Sequence, residues 1–307
     1  MPSPSTTYPS VGVVIPTRDR AELLRRALAS VARQTYPGRI ETVVVHDGTP
    51  VDETVHRDDA RPVHAVANTR TPGLAGARNT GILALATDYV AFCDDDDHWE
   101  PTKLARQIER ATRPDRPEMI TCAMLVDFDG HRTPRLAGTA EVTHARLTRS
   151  IMAMLHSSGM LFDRSALLDM GLVNEDIPGS QNEDWDIKLR AASRRPIAHV
   201  DEPLITVQWG RSSMFARAWE TKNQSFVWML ENHPQISADA HGASRVYGQL
   251  AFGEAALGER RSSMRWAGRA LRANPLQWRA VAALPVAAGI VRPEQVLNTL
   301  HRFGRGV

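Results

Sequence analysis

Four consecutive aspartates, residues 94–97, directly follow the apolar run of residues 89–93. The apolar run predicts a buried strand, so the aspartates fall at its carboxyl end, where open α/β sheets bind ligands. Adjacent carboxylates repel one another, and positive charge among them offsets this repulsion. A hard divalent cation such as Mg²⁺ or Mn²⁺ takes oxygen ligands of this kind. Acidic residues are also favoured at a helix N-terminus, and residues 101–111 have helical spacing. The two interpretations can hold together.

Strand and helix patterns alternate along the first third of the chain. β-branched runs that end at Pro or Asp-Gly predict buried strands, and apolar residues three and four positions apart predict the helices between them. This alternation predicts a doubly wound α/β fold, with a mostly parallel sheet flanked by helices and the strand ends meeting along one edge. The predicted strands are residues 11–15, 40–46, 62–67 and 88–93, and the predicted helices are residues 21–34 and 76–86.

The pattern changes in the last third of the chain. Before residue 218 we predict helices at residues 103–111, 165–170 and 183–194, and strands at residues 119–129 and 196–207, the second with a turn at residues 201–203. Beyond it only helical spacing occurs, at residues 219–231, 239–257, 262–273 and 276–288. The sequence therefore predicts a disordered N-terminal tail (1–10), an α/β domain (11–218) and an all-helical C-terminal region (219–307).

Charge is distributed unevenly over the chain. The net charge of +2 does not favour nucleic acid as a partner. Residues 226–307 nevertheless contain ten arginines, no lysine and five acidic residues. Such a region could contact an anionic membrane surface or an acidic partner, or it could be an ordinary solvated helix face.

The remaining composition points to a cytoplasmic protein. Cys93 and Cys122 lie in apolar runs and are predicted to be reduced core residues. The N-terminus lacks the pattern of a signal peptide, and no apolar stretch approaches the about 20 residues that span a bilayer. Peripheral membrane contact and homodimer formation through the helical region stay open.

Five motifs occur in a fixed order: V-V-I-P-T-R-D-R at 13–20, V-V-V-H-D-G-T at 43–49, G-L-A-G-A-R-N-T-G at 73–81, the acidic run within 89–104, and N-E-D-W-D-I-K-L-R at 182–190. Each motif is weak alone, but the ordered set resembles family 2 glycosyltransferases over residues 11–215. The resemblance implies a GT-A fold whose nucleotide-sugar-binding catalytic domain is residues 11–218. It also implies inverting transfer of a sugar from a nucleotide donor, by default a UDP-sugar, to an acceptor hydroxyl.

The resemblance assigns the nucleoside pocket to residues that follow the first two strands. Pro16 sets the turn after the first strand, and Thr17 and Arg18 lie at its mouth. Asp47 matches the family carboxylate that hydrogen-bonds the base, although an Asp-Gly pair also favours a tight turn.

A Gly-rich stretch before Arg78 and Asn79 suggests an anion site, because free N–H groups and the helix dipole favour anions. The resemblance implies that Arg78 reaches the phosphates or base of the donor and that Asn79 helps to orient it. Alternatively, Gly76 and Ala77 simply allow close helix packing.

Within the acidic run, the family's Asp-x-Asp motif corresponds to Asp95 and Asp97, and a register shifted by one residue is also open. The resemblance implies that Asp97 is the direct ligand of Mn²⁺ or Mg²⁺. Asp95 would contact the ribose or a metal-bound water, and Asp96 would orient the donor-binding loop together with Asp94.

The acidic pair Glu183 and Asp184 supplies a candidate general base, which sugar transfer to a hydroxyl requires. The resemblance implies that Asp184 deprotonates the acceptor for a single in-line displacement. Glu183 would hydrogen-bond the acceptor or the donor sugar. Acidic residues in a first helical turn are also expected from the helix dipole alone.

Two features depart from the family pattern. Many members of the family carry a basic or histidine-containing segment after the last strand that helps to hold the metal or the diphosphate. Residues 207–213 of this chain contain no histidine, so Arg211 could compensate or the metal could rely on the acidic run alone. His156 lies where relatives form the floor of the sugar pocket, although an ordinary buried histidine would fit as well.

Several questions about function stay open at this stage. The acceptor could be a glycan, a lipid-linked glycan or a small molecule. Two other functions are also considered: a nucleotidyltransferase on a similar sheet, and a non-catalytic scaffold that binds a partner through the helical region.

Overall fold

The computed structural model of the chain describes residues 8–128, 130–209 and 218–296. These residues form two compact units. The first consists of the described residues within Met1–His144, Met152–Glu175 and Glu183–Arg211, and the second of those within Ala145–Ile151, Asp176–Asn182 and Ser212–Val307. The predicted boundary at residue 218 stays a prediction, as does the disordered tail, most of which lies outside the described residues.

A mixed sheet forms the centre of the first unit. In the described chain its strands are β1 (Val11–Thr17), β2 (Ile40–His46), β3 (Val63–Ala67), β4 (Tyr89–Phe92), β5 (His98–Trp99), β6 (Met119–Phe128), β7 (His131–Arg135), β8 (Glu141–Val142), β9 (Leu161–Asp163) and β10 (Ile197–Gln208). Their order is β3-β2-β1-β4-β9-β6-β10-β5, and β7 pairs with β6 and β8 with β10.

Helices accompany this sheet as the alternating pattern predicts. They are α1 (Ala21–Ala32), α2 (Leu74–Ala84), α3 (Lys103–Ala111), α5 (Arg164–Asp169) and α6 (Glu183–Arg194). The short helix α4 (His144–Arg149) was not predicted, and all but its first residue belong to the second unit. Helix α2 packs closely against β1 and the preceding loop, and two glycines permit this approach. A Cβ at Gly81 would collide with Val14 of β1, and one at Gly76 would collide with the carbonyl of Thr71. The predicted α/β class of GT-A type is confirmed.

The strand order places a topological switch point beside β1. Strands β1 to β4 pair in parallel, with β2 on one side of β1 and β4 on the other. The chain runs from β1 through β2 to β3 on one side of β1 and then crosses to β4 on the other side. The strand order therefore reverses between β1 and β4, which is the switch point where doubly wound sheets bind ligands. The acidic run follows β4 directly and lies at this edge.

Strand β10 differs from the prediction. The expected turn at residues 201–203 is a register irregularity within one continuous strand, and the pairing with β6 shifts on both sides of Pro203. Proline has no N–H to give to the ladder, so a bulge accommodates it without ending the strand.

The second unit confirms the predicted all-helical extension. Its described helices from residue 219 are α7 (Trp219–Asn232), α8 (Pro234–Ala238), α9 (Ala240–Ala256), α10 (Arg260–Ala273) and α11 (Trp278–Ala287). Small buried residues on α9, α10 and α11, such as Ala251, Ala267 and Ala283, form much of its core. No helix in the described ranges is both long and apolar enough to cross a lipid bilayer.

Candidate active site

The four aspartates after β4 have different partners. Asp94 accepts hydrogen bonds from Arg78 and from Ser157 Oγ, both at 2.8 Å, and its N–H donates to Ser158 Oγ. Burial acts to raise the pKa of Asp94, but the positive charges of Arg78 and His156 outweigh it and lower the pKa. Asp94 is therefore held ionised by buried positive charge, as a crowded acidic run requires.

Asp97 is the most deeply buried of the four, with 1% of its surface exposed. Its carboxylate accepts from Ser158 Oγ at 2.5 Å and lies 3.2 Å from His156 Nδ1. Burial alone would lower the pKa of His156, but the carboxylates of Asp97 and Asp94 have the larger effect and raise the pKa to about 9. Sequence reasoning considered His156 as part of a sugar pocket or as an ordinary buried histidine and missed this pairing.

Asp95 and Asp96 both pair with the guanidinium of Arg20. Asp95 accepts from Thr17 Oγ1 at 2.8 Å and from Arg20 at 3.1 Å, and Asp96 accepts from Arg20 at 2.8 Å. Burial raises the pKa of Asp95, and partial burial with repulsion from its neighbours raises that of Asp96 to about 6. Arg18, which was predicted to lie at the mouth of the nucleoside pocket, is exposed just after β1, whereas Pro16 and Thr17 are buried.

Arg78 joins the two acidic motifs of the sequence. Its guanidinium is 1% exposed and pairs with Asp94 after β4 and with Glu183 at the start of α6, the second contact being 2.5 Å. It also lies 5.2 Å from the centre of the Phe92 ring. Burial and repulsion from Asp184 raise the pKa of Glu183 to about 7 despite Arg78. Arg78 thus contacts carboxylates of the chain, and its predicted contact with the donor stays a prediction.

Asp184 is the more accessible carboxylate of the acidic pair. Its side chain is 28% exposed, against 8% for Glu183. Burial acts to raise the pKa of Asp184, but the ammonium of Lys188, 2.9 Å away, lowers it overall. Lys188 is fully buried and also donates to the carbonyl of Leu155. Asp184 is therefore an ionised, partly accessible carboxylate with a fixed orientation.

Asp47 and Asn79 bind other parts of the chain. Asp47 accepts from the N–H of Gly73 and from Asn68 Nδ2, so it fixes the loop that precedes α2. Asn79 exchanges two hydrogen bonds with the backbone of Val173 and donates to Glu175. Their predicted contacts with a donor are not tested by these distances.

Glu175 is a polar centre that sequence reasoning missed. It accepts hydrogen bonds from Arg70, from the N–H of Thr71 and from Asn79. Burial opposes ionisation, but these donors lower the pKa of Glu175 to about 2. The sequence offers no signal for it, because its partners lie about a hundred positions earlier in the chain.

We expect Glu175→Ala to lower the free energy of unfolding by about 1.5–3 kcal/mol, because hydrogen bonds to a charged group are lost and buried donors stay behind. Hydrogen exchange at residues 68–73 should become faster, since Glu175 anchors that loop. Urea denaturation and exchange measurements test this. Glu109→Ala, which removes an exposed ion pair with Arg106, should cost less than about 1 kcal/mol. Equal effects of the two substitutions would contradict the anchoring role.

One group of side chains in the described residues has the geometry to hold a metal ion. Ligand atoms of Asp94, Asp97 and His156 lie within 4.8 Å of one another. Carboxylate oxygens and an imidazole nitrogen suit Mn²⁺ or Mg²⁺. The group includes the predicted ligand Asp97 and does not include Asp95. Arg211, which could compensate for the missing histidine, lies outside the described residues.

Together, the switch point of the sheet and the two acidic motifs joined by Arg78 form the candidate active site of a GT-A fold. A family model described as "Glycosyl transferase family 2" matches residues 12–171, just over half of the chain. The chain therefore belongs to the family 2 glycosyltransferases.

Similar proteins agree with this assignment. The Campylobacter jejuni protein named GalNAc(5)-diNAcBac-PP-undecaprenol beta-1,3-glucosyltransferase is 23% identical over 184 residues, which cover 58% of this chain and 59% of that protein. The chain spans between 29% and 61% of the length of such curated relatives.

Two solved structures share the fold. S. aureus TarS 1–349, solved with UDP-GlcNAc, has a TM-score of 0.61 at 18% identity, covering 96% of this chain and 92% of that one. The mannosyltransferase PcManGT of Pyrobaculum calidifontis, solved with GDP-Man and Mn²⁺, has a TM-score of 0.58 at 19% identity, covering 97% of this chain and 85% of that one.

Proposed function

We propose that this enzyme is a metal-dependent, inverting glycosyltransferase that moves a sugar from a UDP-sugar to an acceptor hydroxyl. The observation that carries the proposal is the link through Arg78 between the acidic run after β4 and the Glu183–Asp184 pair on α6. The buried guanidinium of Arg78 thereby fixes the position of the candidate donor site relative to the candidate base. The UDP-GlcNAc bound by TarS supports the choice of donor.

The donor pocket is proposed on the residues around the ends of β1 and β2. Pro16, Thr17 and Arg18 would line it, and Asp47 would face the base. Thr17 and Arg20 hold Asp95, so the ribose side of the pocket would keep a fixed carboxylate. Asp96, partly exposed beside Arg20, would order the donor-binding loop.

The metal is proposed to be Mn²⁺ or Mg²⁺, and the Mn²⁺ bound by PcManGT supports the first. Asp97 would hold it with Asp94 and His156, whose ligand atoms are close enough together, while Asp95 stays a candidate for a water-mediated contact. Bound there, the cation would neutralise charge on the departing diphosphate. Because a ligating histidine must be neutral, we expect metal binding to displace the proton of His156.

Asp184 is the proposed general base. Its carboxylate is ionised, partly accessible and oriented by Lys188, which suits removal of a proton from an acceptor hydroxyl. That oxygen would then attack the anomeric carbon as the bond to the diphosphate breaks, which inverts the configuration. Glu183, held by Arg78, would position the sugar.

The acceptor is proposed to be a glycan, a lipid-linked glycan or a small molecule, and the name of the Campylobacter relative supports the lipid-linked class. Neither a nucleotidyltransferase nor a non-catalytic scaffold is favoured. The family match covers the sequence that carries the acidic run, and the candidate base is accessible.

Calorimetry with UDP and GDP, each with and without Mn²⁺, tests the proposal. We expect Mn²⁺ to strengthen UDP binding to the wild type by at least about tenfold and Asp97→Asn to abolish this gain. Asp58→Asn, at an exposed aspartate of the first unit, is the matched control and should behave as the wild type. A preference for GDP would change the donor, and binding unaffected by Mn²⁺ would remove the metal. No nucleotide binding in a folded protein would refute the transferase proposal.

A further inference from the structure

Helix α10 of the second unit presents a face rich in arginine. Its fourteen residues contain five arginines and no acidic residue, and the buried positions are Ser263, Ala267 and Ala270. On the opposite side, Arg261, Met264, Arg265 and Arg272 are exposed. These four residues are spaced by three, four and eleven positions from the first, so they share one face of the helix.

The charge on this face is not balanced locally. Arginines four positions apart, such as Arg261 and Arg265 or Arg265 and Arg269, repel each other and weaken a helix by about 0.2–0.5 kcal/mol per pair. Across the described residues, none of the ion pairs involves an arginine of α10. Solvated helix faces usually carry both signs of charge. On the α10 face the arginines repel each other, and an anionic partner would offset this repulsion.

Exposed apolar side chains accompany the arginines. Met264 lies on the same face of α10 and is 54% exposed, and Leu276, just after the helix, is 87% exposed. A soluble polyanion would gain nothing from these side chains. A lipid surface offers phosphates to the arginines and an acyl boundary to the apolar groups.

We propose that the α10 face, defined as Arg261, Met264, Arg265, Gly268 and Arg272, docks onto an anionic membrane surface. Gly268 leaves open space on this face, since nothing lies within 4 Å of where a Cβ would stand. The arginines bind lipid phosphates and Met264 enters the headgroup boundary. This docking goes beyond glycosyl transfer and does not depend on the proposed donor, metal or base.

Vesicle sedimentation of the full chain, without donor or acceptor, tests the proposal. The wild type should sediment with vesicles containing about one third phosphatidylglycerol and not with phosphatidylcholine alone. Each arginine near an anionic surface contributes about fivefold to binding, so Arg261→Gln/Arg265→Gln/Arg272→Gln should weaken partitioning on the order of 100-fold. Wild-type chain that stays in solution with the anionic vesicles would overturn the proposal.

Two further variants identify the partner. Arg33→Gln/Arg57→Gln/Arg113→Gln removes the same charge from exposed positions of the first unit and should bind vesicles as the wild type does. An equal loss in this control would reduce the effect to net charge and overturn the proposal. Met264→Ser should weaken vesicle binding several-fold and leave binding to polyphosphate unchanged. If vesicle binding ignores Met264 and polyphosphate competes fully, the face is a soluble polyanion site instead.

Discussion

Replacing Arg78 by methionine is expected to lower the free energy of unfolding by about 3–5 kcal/mol, because it leaves two carboxylates without their buried cation. Arg78 is almost wholly buried, and it pairs with both Asp94 and Glu183. Methionine keeps much of the side-chain volume and removes only the charge and its hydrogen bonds. Urea denaturation of the variant and the wild type measures the difference.

Two comparisons separate the charge effect from a packing effect. Adding Glu183→Gln to the Arg78 variant removes one of the stranded charges and should restore part of the lost stability. Arg26→Met, which breaks an exposed ion pair with Glu22, should cost less than about 1 kcal/mol. If the Arg78 variant were as stable as the Arg26 variant, the buried cation would not hold the site together.

The pH dependence gives the same test a sign. Arg78 lowers the pKa of Asp94 against the effect of burial, and it limits the rise in the pKa of Glu183, which burial takes to about 7 in the wild type. Without Arg78 both pKa values should rise, so the folded variant should bind protons at a higher pH than the folded wild type does. The variant therefore gains stability relative to the wild type as the pH falls through these raised pKa values, for Glu183 above about pH 7. The deficit should be largest at alkaline pH and shrink toward acidic pH, and a constant deficit would point to packing.

Elements with a long local pattern could be predicted from the sequence. The bounds of β2, α3 and α6 are those predicted, because their apolar spacing is set within the element itself. Strand β5 was missed because its two residues pair with β10 across more than a hundred positions. Strand β7, His131–Arg135, was missed because its residues are mostly exposed and polar.

The candidate site was predicted as motifs but not as contacts. The acidic run and the Glu183–Asp184 pair stand out in one sequence, since the run follows a clear strand and the pair begins a clear helix. Their partners come from elsewhere: Arg20 meets Asp95 and Asp96, and His156 meets Asp97. Asp19 has a φ of 54°, so the chain turns sharply between Arg18 and Arg20, and local spacing cannot say which arginine faces the site.

Asp184→Asn is expected to lower kcat by about 10²–10⁴-fold, the usual contribution of a positioned general base. Nucleotide binding should change little, because the proposed nucleotide contacts lie on other elements. Asparagine keeps the shape of the side chain, so calorimetry with the nucleotide can confirm an intact donor site while steady-state kinetics measure turnover. Glu183→Gln is the competing variant. If it abolished turnover while Asp184→Asn stayed active, the base would be Glu183.

Lys188 provides a second, independent measure of the same role. Its ammonium lowers the pKa of Asp184 against the effect of burial, so Lys188→Met should raise that pKa. A base with a raised pKa stays protonated up to a higher pH, so the acidic limb of the kcat–pH profile should move to higher pH. A structural role for Lys188 would lower activity at every pH without moving the limb. A shift that disappears in the Asp184→Asn background would tie the limb to Asp184, because only an ionisable carboxylate at that position can respond to the neighbouring charge.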